Sequence, residues 1–210
     1  MTWFRGVGIL YLDNHLLVAV KPPNMPSQAD ASGDLDMLTL MRAYVKEAYG
    51  KPGEAFLGLL HRLDRPVGGV MAFARTSKAA ARLSEQFRER RVERVYLAAV
   101  RGDPEPEAVL MGLVEQREAV LSYRCIHRGA PLSLLEVRLQ TGRKHQIRVQ
   151  LSQAGLPIWG DARYGGGKPG EQIALFGARI ALTHPVTREE MTFEASPPET
   201  QPWTIWRNLP

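Results

Sequence analysis

The stretch that most narrows what this chain can fold into is LGLLHRLDRPVGGVMAFART, residues 57–76. An apolar run leads into a short charged segment, a proline follows, and two glycines open a second apolar run. GGVMAFA reads as a buried strand, because a half-exposed strand would alternate apolar with polar residues. Pro66 fixes its own φ and steers Arg65 away from helix, and Gly68-Gly69 permit backbone conformations closed to other residues. The chain therefore has to turn sharply between two apolar elements, with Asp64 inside the turn and Arg62 and Arg65 close beside it. On composition alone Asp64 is a strand-end acid neutralised by a neighbouring arginine. The rigid turn argues for more, a carboxylate held in a set place, and adjacent cations favour its charged form. A nucleophile or a base has those needs.

Around this turn the chain alternates short apolar runs with amphipathic ones. ILYLDNHLLVAVKPP reads as two strands about an Asp-Asn turn, ended by prolines. NMPSQADASGD is a loop by composition, after which Asp34 or Asp36 caps a helix with Met37, Leu40, Met41, Tyr44, Val45 and Ala48 at helical spacing, stopped by Gly50. Ser77 is the expected N-cap of SKAAARLSEQFRERR, whose Ala80, Leu83 and Phe87 line one face. VERVYLAAVRG reads as a strand, DPEPEA as a loop, and further strands fall near 108–114, 119–127 and 132–140. KHQIRVQLSQAG carries Ile147, Leu151 and Ala154 at helical spacing with Gly155 as its stop, and IALFGARIAL and MTFEA are strand-like. Strands and helices mixed without a βαβ rhythm predict an α+β fold around a largely antiparallel sheet, flanked by helices and loops. No linker divides the chain, so residues 1–210 are expected to form a single catalytic domain.

Composition adds a bias toward a partner. The formal net charge is +5 with a sequence pI near 9.6, and arginine far outnumbers lysine. Guanidinium grips phosphate with a fork and stacks on bases, so the excess points modestly to nucleic acid. One cysteine, Cys125, forms no internal disulfide and no metal-ligand cluster accompanies it, which fits a reducing cytoplasm. No apolar run is long enough to cross a bilayer, and the N-terminal run is cut by Asp13, Asn14 and His15, unlike a signal peptide.

A second chemical stretch is Thr141-Gly142-Arg143-Lys144-His145-Gln146-Ile147-Arg148. Cations at the start of a helix oppose its dipole and make sense where an anion comes to meet them, a phosphate or Asp64 itself. A solvated basic helix start is the competing reading. LPIWGDARYGGG follows, aromatic and glycine-rich, either a binding surface or a turn packed on the core.

Taken in order, YLDNHLLVAVKPPNMPSQ, HRLDR with GGVMAFART, VERVYLAAVRG, TGRKHQIRVQLSQAGLPIWGDARYG and RIALTHPVTREEMTFEASPP resemble the successive motifs of the RluA-type pseudouridine synthases. The resemblance covers nearly the whole chain. It implies the pseudouridine synthase fold with a basic active-site cleft, and an enzyme that isomerises a uridine already in an RNA chain. The N-glycosidic bond breaks, the base turns in the pocket, and C5 joins C1′, with no redox step, no energy source, no cofactor and no metal. By the same resemblance Asp64 is the catalytic aspartate, acting as nucleophile at C1′ or as base at the 2′ proton. Tyr96 is the active-site tyrosine under the uracil, although in an apolar strand it would otherwise be read as core. Arg148 is the basic partner of the aspartate, and Ile147 the apolar residue packed on the pocket.

Such an enzyme has to extrude its uridine, and contacts from a basic cleft can offset that cost. Arg62, Arg65, Arg88, Arg90, Arg91, Arg143 and Lys144 are the expected contacts, together with His145. Arg62 and His61 are the residues expected to fill the space left by the base. The partner implied is a stem-loop of transfer or ribosomal RNA, with no membrane and no obligate protein partner, bound by a monomer. The chain departs from the usual pattern after HRLDR, where an acid, a threonine and a serine give way to Pro66-Val67-Gly68, so bonds made by those hydroxyls have to come from elsewhere. Its first expected strand lies almost at residue 1, so a chain without a small S4-type RNA-binding domain is expected. Two rivals remain. One is an RNA-binding or RNA-folding factor that kept the fold and lost the chemistry. The other is a nucleosidase, which would need a second carboxylate.

Overall fold

The computed structural model describes residues 1–50, 53–168 and 170–206. In chain order the elements are β1 (Thr2–Phe4), β2 (Val7–Leu12), β3 (Leu16–Lys21), α1 (Met37–Ala48), β4 (Gly58–Leu59), β5 (Gly68–Ala74), α2 (Ser77–Arg88), β6 (Glu93–Val100), β7 (Glu107–Val114), β8 (Arg117–His127), β9 (Ser133–Leu139), α3 (Gln146–Gln153), β10 (Leu175–Thr183) and β11 (Glu190–Glu194), with a 3-10 turn at Trp203–Trp206. The chain divides into two compact units, Met1–Glu93 with Arg179–Ala195, and Arg94–Ala178 with Ser196–Pro210. Strand β10 starts in the second and ends in the first. The architecture is α+β around largely antiparallel sheet, as the mixed pattern predicts.

In the first unit β1, β2, β3 and β5 pair antiparallel in that order, β4 pairs with β5, and β11 with the end of β10. Every residue of β5 is buried, in keeping with its unbroken apolar run. Val70, Ala72 and Ala74 join Leu16 and Val18 of β3, Ile180 and Leu182 of β10, and Ala79 and Leu83 of α2 in one core. The Asp13-Asn14 turn forms as expected, because the Asp13 Oδ1 accepts from the amides of His15 and Leu16, both at 2.7 Å. Its Oδ2 lies 2.9 Å from Nε2 of buried His184, whose Nδ1 accepts from the Thr187 amide. That acceptance puts the proton on Nε2, which donates to Asp13, and the β2–β3 turn is tied to the β10–β11 turn.

In the second unit β6, β9, β8 and β7 form an antiparallel array. Helix α3 binds it through side-chain amides as well as through apolar residues. Thr141 Oγ1 takes the Val120 amide and meets Gln146 Oε1, both at 2.8 Å. Gln146 Nε2 donates to Val120 O and Gln150 Oε1, and Gln150 Nε2 donates to Leu110 O and Ala119 O. Ile147 and Leu151 are buried as their spacing predicts, but Ala154 is exposed, because the helix ends one residue before it.

Cap chemistry agrees with expectation in the first longer helix and departs from it in the second. Asp36 is the N-cap of α1, its carboxylate accepting from the Thr39 amide at 3.0 Å. For α2 the cap is Thr76 rather than Ser77, with Thr76 Oγ1 accepting from the Ala79 amide at 3.1 Å. Serine is by type the somewhat better cap, but here the extended backbone falls at Thr76 and decides. Thr76→Ala should therefore lower stability by about 1 kcal/mol in urea denaturation. Ser77→Ala should change it by less than about 0.5 kcal/mol.

Candidate active site

Asp64 lies in a tight turn between β4 and β5, half-buried, with the Val67 amide closing onto its carbonyl at 2.9 Å. The turn is fastened on both sides of the acid. Before it, buried Ser27 donates its hydroxyl to Leu63 O at 2.7 Å and accepts from the Leu63 amide at 3.1 Å. After it, the Lys21 ammonium at the end of β3 donates to Arg65 O at 3.1 Å, and also to Met25 O at 2.6 Å and Pro22 O at 3.1 Å. These bonds come from outside the turn.

Lys21 is 0% exposed. Burial pushes its pKa down to about 7, while the charge of Asp64 pulls it up and that of Arg65 presses it further down. A lysine read from sequence as a strand end before two prolines is thus an internal cation serving the Asp64 turn. Only the tertiary fold brings its ammonium to residue 65.

The neighbours of Asp64 are used unequally. Arg62 is exposed. Arg65 is held by the loop that precedes α1: its guanidinium donates to Ser32 Oγ at 2.9 Å and pairs with Asp34 and Asp30. Any phosphate must compete with those carboxylates for it. His61 Nε2 accepts from the Ala72 amide at 3.1 Å, and its ring stacks on Phe87 at 5.2 Å between centroids. That nitrogen and that face hold β5 and α2 in place.

The remaining expected residues lie in the second unit. Tyr96 is on β6 opposite Val137 of β9 and is 7% exposed. Ile147 and Arg148 are buried in the first turn of α3. Arg143 and Lys144 precede the helix rather than opening it; Arg143 Nε donates to Glu118 O at 2.9 Å, and Lys144 is exposed. His145, the residue before α3, takes a left-handed backbone with φ of 55°, and its Nδ1 lies 3.0 Å from the Tyr164 hydroxyl. The helix therefore begins two residues later than its cations suggest.

Arg148 grips a carboxylate that sequence reading passed over. Its Nε and Nη2 donate to the two oxygens of Asp161, both at 2.8 Å, and the pair is 8% and 1% exposed. The Tyr164 ring lies 5.1 Å from the guanidinium carbon. Burial raises the Asp161 pKa, but the bonds and charge of Arg148, with the amides of Tyr164 and Arg163, lower it by more, so the net shift is downward. The Gly-Asp-Ala-Arg-Tyr-Gly stretch is the signal that could have found it, since an acid between glycines in a loop invites a buried partner. Among the described residues no group of three or more His, Cys, Asp or Glu gathers to hold a metal.

The fold and the turn around Asp64 are joined by direct kinship. Residues 15–153 match the sequence model of the RNA pseudouridylate synthases. The chain belongs to that family, in its RluA-type branch, and is an RNA pseudouridine synthase. It is 32% identical over 221 residues to ribosomal large subunit pseudouridine synthase D of Zymomonas mobilis, covering 91% of this chain and 69% of that one. It is 31% identical over 214 residues to ribosomal large subunit pseudouridine synthase C of Escherichia coli, covering 89% of this chain and 65% of that one. The solved structure of human RNA pseudouridylate synthase domain containing 4 is similar with a TM-score of 0.74 at 25% identity, over 91% of this chain and 88% of that one.

Lys21→Met should leave three carbonyls short of a donor and cost about 3 kcal/mol at pH 7, read by urea denaturation. The pH dependence has a defined sign. Folded Lys21 loses its proton near 7, whereas the unfolded residue keeps it to about 10.4. The unfolded state then binds more protons across that window. Wild-type stability should rise with pH there relative to Lys21→Met, by at most about 1.4 kcal/mol per unit.

Proposed function

We propose that this synthase flips a uridine out of a structured ribosomal or transfer RNA stem-loop and isomerises it with Asp64 as the essential residue. The names of its relatives favour ribosomal RNA. Asp64 acts at the ribose, as nucleophile at C1′ or as base at C2′, and the bond from N1 to C1′ breaks. The uracil turns in place and its C5 bonds to C1′ as Asp64 leaves C1′ or returns the C2′ proton; the proton lost from C5 is matched by one gained at N1, so no atom is gained or lost overall. Tyr96 stacks under the uracil and can serve the proton transfer at C5. Arg148 is the guanidinium that the family pairs with its catalytic acid.

What supports this most is the fastening of the turn. Ser27 on Leu63 and Lys21 on Arg65 restrain the backbone on both sides of one half-buried carboxylate. A surface ion pair has no use for such restraint, whereas an attacking or proton-accepting group depends on it. Arg62, Arg143 and Lys144, with Arg88, Arg90 and Arg91, supply phosphate contacts that offset the cost of extrusion, roughly a few kcal/mol. The chain works as one catalytic domain, as a monomer in the cytoplasm, and its own surface recognises the target.

Two experiments test the reading. Ribosomal and transfer RNA from a strain lacking the gene is incubated with wild type or Asp64→Asn, and new pseudouridines are mapped. Wild type should form the isomer, and Asp64→Asn should be slower by on the order of a thousandfold or more while still binding. Activity in Asp64→Asn contradicts the assignment of Asp64. RNA binding without product from wild type points to a folding factor, and released uracil to a nucleosidase. Binding should also weaken steeply with salt, and Arg62→Ala should reduce the slope of log K against log salt by about 1. A flat salt response contradicts the phosphate contacts.

A further inference from the structure

The GDARYGGG loop, residues 160–167, is the sequence feature that the reaction does not account for. It is built around one side chain. Asp161 Oδ1 accepts from the amides of Arg163 and Tyr164 at 3.0 and 3.1 Å, and its main-chain oxygen accepts from those of Gly165 and Gly167 at 2.8 and 3.1 Å. Gly160, Gly165 and Gly167 are required by space. A Cβ on Gly160 would overlap Gln172 O, and one on Gly165 would lie 2.6 Å from Ile158 O. The loop folds back on its own acid, and the acid faces Arg148.

A guanidinium has five N–H groups in one plane. The Asp161 carboxylate covers the Nε–Nη2 edge with two parallel bonds of 2.8 Å. The guanidinium carbon lies over the Tyr164 ring, and the Tyr164 hydroxyl is 3.0 Å from His145 Nδ1, directly before α3. A long, rotatable side chain is thus fixed in one rotamer, and the edge it can present in a reaction is chosen for it. A buried ion pair contributes little net stability, because desolvation offsets the attraction, so stability alone is a poor reason to build such a loop. Orientation is a better one.

We propose that Asp161 is a positioning residue of the isomerisation, holding the Arg148 guanidinium so that one defined edge is turned to the reaction. This rests on the assignment of Arg148 above. Asp161 touches no substrate and works through Arg148. Because it also neutralises that cation, its removal should cost aim while adding positive charge. Turnover should fall although attraction for RNA does not.

Single-turnover rates and RNA affinities of the full chain are compared for wild type, Asp161→Asn, Arg148→Lys and the double variant, with ribosomal RNA from a strain lacking the gene. In Asp161→Asn an amide N–H replaces one acceptor at the fork. We expect kcat to fall by roughly tenfold to a hundredfold, with KM unchanged or lower and the thermal transition retained. The double variant should be no slower than Arg148→Lys, since both changes act through one group. Losses that multiply, or a kcat of Asp161→Asn equal to wild type beside an impaired Arg148→Lys, overturn the role of Asp161 alone. Arg148→Lys at the wild-type rate overturns the assignment of Arg148 and this one with it. If Asp161→Asn does not fold, Asp161→Glu keeps the charge and displaces the carboxylate by a methylene. A lowered kcat at unchanged KM then supports the proposal, and a wild-type kcat overturns it.

Discussion

A buried ammonium donating to three backbone carbonyls is the interaction on which the Asp64 turn depends. Lys21 ends β3, beside β5, and reaches Arg65 O, so the turn is fixed by a cation that has given up its hydration. Ser27 holds the residue before Asp64 in the same way. The consequence is a carboxylate whose backbone has little freedom while the side chain stays half-exposed. Chemistry on a bound ribose asks for that combination, because small displacements of a reacting group cost rate steeply.

The second unit solves a similar problem with other means. Here the group to be fixed is a guanidinium on the first turn of α3, and a helix alone leaves so long a side chain several rotamers. The glycine-built loop supplies a carboxylate to its edge and a tyrosine ring beside it. The helix is in turn lashed to the β7–β8 hairpin by Gln146 and Gln150, so its position does not rest on apolar packing alone. Buried amides and charges satisfied this fully specify one arrangement at little gain in stability.

Much of this was legible before any coordinates. The sharp turn at Asp64 follows from Pro66 and the glycines, the buried β5 from its unbroken apolar run, and the α+β class from the absence of a βαβ rhythm. What was hidden is pairing at a distance. Nothing local says that Lys21 serves Arg65, that Arg65 is shared with Asp30 and Asp34, or that Arg148 closes on Asp161, because each partner is set by folding rather than by spacing. His61 and Ala154 illustrate the same limit, one engaged with the Ala72 amide and Phe87, the other left outside the helix whose spacing it continues. The aromatic turn at Trp203–Trp206 had no periodic signal to announce it.

The central claim is that the turn around residue 64 is ready-made for the ribose of an extruded uridine. A crystal structure of the Asp64→Asn protein with its RNA tests this most directly. The account predicts a uridine outside its helix, its ribose against residue 64, and residues 63–67 unmoved with Lys21 still bonded to Arg65 O. A uridine seated elsewhere, or a turn that rebuilds itself around the RNA, would contradict it.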